Sequence, residues 1–151
     1  MEQHAAVTTF FAMDGDARRR VLIWLCQFAL SVWDEHCKAQ GEMNYVETSL
    51  GTLQVVDPTL PHDAIEAVLG GQDVQGVEKR YYEPITAIDD RDLRLPRHIQ
   101  YAFHSIYNLF SKYVAGDETD DWLIVEQALS AATDETRWAV LLQEAVDAAR
   151  N

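Results

Sequence analysis

His98 and His104 lie just downstream of a carboxylate run, Asp89, Asp90 and Asp92, and an imidazole held by a carboxylate is a common form of general base. A helix opened by Pro96 places His98, Tyr101, His104, Ser105, Asn108 and Lys112 off its apolar stripe, on a polar face suited to a partner or to a base. At 100° per residue the two histidines point about 120° apart, so they do not grip one metal ion together. His62, Asp63 and Glu66 sit within one helical turn and have the residue types of a chelate. The same residues are what an acidic first turn needs against the helix dipole, and that is the preferred reading. Asp34, Glu35, His36 and Cys37 put four ligand or nucleophile types in a row, yet neighbours on a helix fan out and face no common point. No Gly-rich phosphate loop, Walker lysine, Cys-x-x-Cys or His-Glu-x-x-His occurs. The expectation is therefore no catalytic residue, no metal and no cofactor.

Binding chemistry has more to work with. Tyr81, Tyr82 and Glu83, followed by Asp89, Asp90 and Asp92, combine tyrosines with carboxylates in the manner of a partner-binding patch. A second acidic cluster, Asp117, Glu118, Asp120 and Asp121, follows the helix that starts at Pro96. The 151-residue chain carries a net charge of -13, distributed as -1 over residues 1–40, -6 over 41–100 and -6 over 101–151. That field repels nucleic acid and anionic membranes and favours a basic protein partner. Arg18, Arg19 and Arg20 resemble an anion site but are expected to pair within the molecule. The tryptophans at 24, 33, 122 and 138 fall on or near apolar stripes and are read as core.

The elements that position these residues read as helices. Length and 48% hydrophobic content fit one domain spanning 1–151. Asp14, Gly15 and Asp16 open a helix that runs to about Gln40, with Gly41 as a left-handed cap. It is apolar on opposite faces, through Val21, Trp24, Leu25, Phe28 and Val32 and through Ile23, Cys26 and Leu30, so it is predicted to be central. Residues 44–56 hold a turn signal at Ser49–Thr52, but Val46, Leu50, Leu53 and Val56 step by helical intervals and favour a helix weakened by Gly51. Ile65, Val68 and Leu69 mark a short helix after Pro61, and a further short helix is predicted near 74–82, followed by a loop to Arg94. Ile99, Phe103, Ile106, Phe110 and Tyr113 mark a long helix from Pro96 to Ala115. Trp122, Val125, Leu129 and Ala132 mark the next, and the last is read as capped by Thr133 with Trp138, Leu141, Leu142 and Ala145 inward. The fold class is an all-α single compact bundle of about five to seven helices.

Cys26 and Cys37 on one helix would lie roughly 16 Å apart, beyond the 7 Å or so a disulfide spans. They are read as reduced thiols in a cytoplasmic protein. The apolar run Val21–Trp33 is too short for a membrane span. Arg18–Arg20 before it and Ala29 and Ser31 within it resemble a secretory signal, but its interior position makes a core helix the better reading.

The stretches Ile85-Thr86-Ala87-Ile88-Asp89-Asp90-Arg91-Asp92-Leu93-Arg94-Leu95-Pro96 and Asp120-Asp121-Trp122-Leu123-Ile124-Val125, set in an acidic helical bundle, resemble small bacterial immunity proteins. These are the antitoxins encoded beside polymorphic toxins of contact-dependent or type VI secretion systems. The resemblance is one of general type; it names no specific family and carries over no functional residue. It implies a stoichiometric inhibitor that occludes a cognate toxin's active site or an adjacent surface. Many such toxins are nucleases whose basic grooves an acidic patch can cover. Two alternatives stay open: an adaptor or secretion chaperone with an apolar groove or dimer surface, and a small helical enzyme using His98 or His104 with carboxylates of the 89–92 run. Whether the protein is a monomer or a dimer is open as well.

Overall fold

The computed structural model describes residues 2–41 and 44–150, with the backbone alone for residues 2–4. Seven α-helices and a small sheet make up the described chain: α1 (Glu2–Ala12), α2 (Gly15–Ala39), β1 (Tyr45–Thr48), β2 (Leu53–Val55), α3 (Leu60–Gly70), α4 (Val77–Asp89), β3 (Leu93–Arg94), α5 (Arg97–Phe110), α6 (Asp121–Ser130) and α7 (Trp138–Arg150). Helices of all types make up 71% of it by residue, most of that α-helix.

α2 is the central element and packs against α3, α5, α6 and α7. The Asp14 carboxylate accepts from the Ala17 amide at 2.8 Å to open it, and Gly41, at φ 76°, turns the chain away. Its buried seam is Leu22, Leu25, Cys26, Ala29, Trp33 and Cys37, which lies between the two apolar faces read from the sequence. Trp24, Phe28, Ile23, Leu30 and Val32 are half-buried flanks packed on that core. The other tryptophans also join the core: Trp33 is fully buried, while Trp122 and Trp138, like Trp24, pack against it from its edge.

Arg18, Arg19 and Arg20 pair inside the molecule, mainly with backbone carbonyls rather than acids. Successive helical positions diverge by 100°, so the three side chains reach three different neighbours. Arg18 donates to the Phe10 and Phe11 carbonyls at the end of α1, Arg19 to Val68 near the end of α3, and Arg20 to Ala149 at the end of α7. The last carbonyls of a helix lack partners in their own ladder and carry the negative pole of its dipole. One short run at the start of α2 thus ties down three helix ends. Arg18 also forms an ion pair with Asp121 at 3.5 Å.

Residues 44–56 form a hairpin, not a helix. β1 pairs antiparallel with β2 in the register Tyr45↔Val55, Val46↔Gln54, Glu47↔Leu53, and with β3 through Glu47↔Arg94 and Thr48↔Leu93. Gly51 takes φ 82° in the turn, and Thr48 and Thr52 bridge it through their hydroxyls at 2.7 Å. Of the four residues at helical spacing, Val46 and Val56 are buried, whereas Leu50 is 89% and Leu53 69% exposed. β-branched residues and threonine suit a pleated surface, and β3 supplies a pairing partner some 45 residues away that local periodicity cannot register.

α4 also departs from the sequence reading, since it continues through Pro84 to Asp89. A proline inside a helix costs about 3 kcal/mol. The extension buries Ile85 and Ile88 in line with Val77 and Tyr81, and each buried aliphatic side chain stabilises by about 1.5–3 kcal/mol, enough to offset it. α5 runs from Pro96, which is its N-cap rather than its first residue, and a π turn, Ser111–Ala115, carries it to Gly116 at φ 81°. α7 is preceded by a 3₁₀ turn capped by Asp134, so Thr133 does not cap it. α1 has no counterpart in the sequence reading: among its described side chains Ala6 and Phe10 are buried and Val7 packs against the core, too thin a stripe to show as periodicity.

Among the described residues no helix is long and apolar enough to cross a membrane. Cys26 and Cys37 are free thiols, both buried. Burial pushes the Cys26 thiol up to about 12, opposed by the Ser105 side chain, and the thiol donates to the Ser105 carbonyl at 3.6 Å. Burial, then the nearby Asp34 charge, pushes Cys37 up to about 11.

Candidate functional site

The corner where α4 turns into β3 gathers the first acidic set. α4 ends in a paired cap in which the Arg91 amide donates to Ile88 and the Asp92 amide to Ala87. This motif needs a left-handed residue after the cap. Arg91 fills that position at φ 63°, the one non-glycine residue with positive φ among those described. Asp89, Asp90 and Asp92 are exposed around the turn. Asp92 also meets the hairpin, where its backbone carbonyl accepts from the Ser49 amide at 2.9 Å. On the preceding turns of α4, Glu83 is exposed and Tyr82 is 66% exposed.

Tyr81 does not belong to this surface. It is fully buried, its hydroxyl donates to the Phe103 carbonyl at 2.9 Å, and its ring lies 4.4 Å from that of Phe103. One helical position separates it from Tyr82, which is the 100° that divides core from solvent.

The second acidic set is divided in the same way. Asp117, Glu118 and Asp120 are exposed, but Asp120 caps α6 by accepting from the Trp122 amide at 3.1 Å. Asp121 faces inward and pairs with Lys112 at 2.6 Å and Arg18 at 3.5 Å. Its charge is engaged inside the molecule and, unlike that of Asp117 and Glu118, does not face an outside partner.

The sheet adds a feature the sequence reading did not contain. Tyr45, Glu47, Leu53 and Val55 lie on one face of the hairpin by register, while Val46 points to the core. Tyr45, Leu53 and Val55 are all exposed. Glu83 and Pro84 of α4 line one groove with Gln54 and Val55 of β2, together with Lys79 and Arg80, and Asp92 lies beyond the other edge of the hairpin, just before β3. None of Glu83, Asp90 and Asp92 pairs with a cation among the described residues.

The histidines separate. His104 donates through Nδ1 to the Gln100 carbonyl at 2.9 Å, and its Nε2 faces the Asp89 carboxylate at 3.0 Å. The contact with Asp89 is one that the enzyme alternative required of His98 or His104, and it leaves both ring nitrogens of His104 engaged. His98 lines a separate cavity of about 680 Å³ with Phe28, Glu35, His36 and Arg137. There burial holds the His36 imidazole below its ordinary value, reinforced by repulsion from His98. The rest of the expected polar face of α5 is covered: Ser105 is buried, Asn108 donates to Gln127 of α6, and Lys112 pairs with Asp121.

The remaining trios scatter, as the fan-out of helical neighbours requires. His62 meets Asp34 at 2.6 Å, Asp63 meets Arg80 at 2.9 Å, and Glu66 accepts from Gln75. Among the described residues no group of three or more His, Cys, Asp or Glu is placed to hold a metal ion.

Between the α4–β3 turn and α5 lies an open cleft of about 580 Å³, lined by Asp89, Arg91, Leu93, Arg94, Leu95, Arg97, Tyr101, His104 and Gln127 among others. Its three arginines recur at every third residue, a spacing visible in the sequence but masked by the surrounding aspartates.

The fold and surface define a mostly helical scaffold that presents a short antiparallel sheet beside an acidic corner. No protein-family model matches the chain, and no curated protein and no solved structure matches it.

Proposed function

We propose that the protein is a binding protein of the immunity type, which neutralises a cognate toxin by covering its active site or a neighbouring surface. The observation that carries this reading is the exposed sheet face on which Tyr45, Leu53 and Val55 surround Glu47, bordered by the carboxylates of Glu83 and Asp92, which pair with no cation among the described residues. An apolar centre with a charged rim is the composition of a protein interface. The rim charge favours a basic partner, steers its approach and loses that effect as salt rises. Tyr82, Asp89 and Asp90 extend the rim, and Asp117, Glu118 and Asp120 form a second, separate acidic edge.

The test is co-expression with the product of the adjacent gene. The expected result is a one-to-one complex and survival of cells that the partner alone would kill. Absence of both a complex and protection would overturn the proposal. Replacing Leu53 and Val55 with serine is expected to weaken the complex at least tenfold, mainly through faster dissociation. Replacing Glu83, Asp90 and Asp92 with serine is expected to slow association and flatten its salt dependence.

A further inference from the structure

The geometry points to a binding site for a small organic phosphate in the cleft between the α4–β3 turn and α5. Its lining is unusual in a chain of net charge -13, because three of the twelve cationic side chains, Arg91, Arg94 and Arg97, border one cleft. Five of the other cationic side chains, Arg18–Arg20, Arg80 and Lys112, are engaged inside the molecule. Arg91 and Arg97 have no carboxylate or carbonyl partner among the described residues, and Arg94 has only a long, exposed contact with Glu47 at 3.8 Å. Gln127 accepts from Asn108 through its carbonyl oxygen, which leaves its amide hydrogens to give. The one carboxylate in the lining, Asp89, is held by His104. The lining thus offers donors with little to receive them, and the matching ligand is an anion rich in acceptors.

Arg91 supports the same conclusion from the backbone. Its left-handed position is one where glycine costs least, and a strained backbone at the mouth of a cleft is a feature that functional sites share. The charge and size of the cleft then narrow the ligand. A phosphate monoester, with about two negative charges and three free oxygens, brings more charge and more acceptor sites to several guanidinium groups than a single carboxylate does. The cleft volume of about 580 Å³ falls in the range of small-molecule sites and exceeds what a bare phosphate fills. Tyr101, half-buried, and Leu95 offer an apolar wall for the organic part. A nucleic acid strand is disfavoured because its flanking phosphates would meet Asp90 and Asp92.

Calorimetric titration at low salt with phenyl phosphate, inorganic phosphate and a short DNA duplex tests this site. The expected result is saturable binding of phenyl phosphate with Kd at or below about 1 mM and inorganic phosphate weaker by about tenfold. An Arg91→Ser, Arg97→Ser double variant is expected to lose at least tenfold in affinity with an unchanged unfolding midpoint. Arg97→Ser and Gln127→Leu singly, which leave the α4 cap intact, are each expected to weaken binding. No saturable binding of phenyl phosphate, binding indifferent to these substitutions, or tighter binding of the DNA would overturn the proposal. None of these readouts involves the toxin complex, so the two proposals stand or fall separately.

Discussion

Arg91 shows what one residue decides at the functional corner. A side chain in the left-handed region costs about 1–2 kcal/mol, and φ is 63° here. Arg91→Gly is therefore expected to raise unfolding free energy by about 1 kcal/mol, measured from the urea midpoint at constant slope, while binding of phenyl phosphate falls. The thiols make a second prediction. The nucleophile is the thiolate, and Cys26 and Cys37 have pKa values pushed to about 12 and about 11. Both are expected to resist iodoacetamide at pH 8.5 in the folded protein and to react once it is unfolded in urea. Their linkage to stability follows from the direction of the shift. A raised pKa means the folded state holds the proton more tightly, so the contribution is intact below about pH 9 and is lost as pH rises towards 11 and 12. Denaturation midpoints at pH 8 and pH 10.5 check this, with the lower value expected at the higher pH. Tyr81 and Tyr82 illustrate the limit of reading a residue by type, since identical side chains one position apart end in the core and in solvent.

At the scale of elements, burial and pairing outweigh propensity wherever the two conflict. α4 accepts Pro84 because Ile85 and Ile88 reach the core beyond it. Pro84→Ala is accordingly expected to leave the fold unchanged and to stabilise it by up to about 3 kcal/mol. The hairpin forms from a segment with helical spacing because β3 completes its sheet. Its exposed face contributes little to the fold, so Leu53→Ser with Val55→Ser is expected to shift stability by under about 1 kcal/mol while weakening partner binding. Asp120 acts as a cap as well as a surface charge. Asp120→Ala is expected to cost about 1 kcal/mol, seen in thermal unfolding, whereas Glu118→Ala at the exposed neighbouring position is expected to cost almost nothing.

Over the whole molecule, the helical class, the central place of α2, the helix from Pro96 to Ala115 and the separation of the two cysteines were all legible in the sequence. They depend on local periodicity, caps and chain geometry, which neighbouring residues alone define. The candidate site was legible only in part. The run Asp89–Asp92 and the exposed Tyr82 and Glu83 stood out by composition, and a contact between that run and either His98 or His104 was one open alternative, of which the fold makes the one with His104. The loss of Tyr81 to the core, the internal use of Asp121, the three-stranded sheet and the arginine cleft were not legible. Each of these depends on which side of an element meets another element many residues away, and that is settled when surfaces pack. Net charge was a property of the sequence; its sorting into paired interior charges, an acidic rim and one basic cleft was decided by tertiary structure, because a charge acts through the groups within a few ångströms of it and the fold alone chooses those groups.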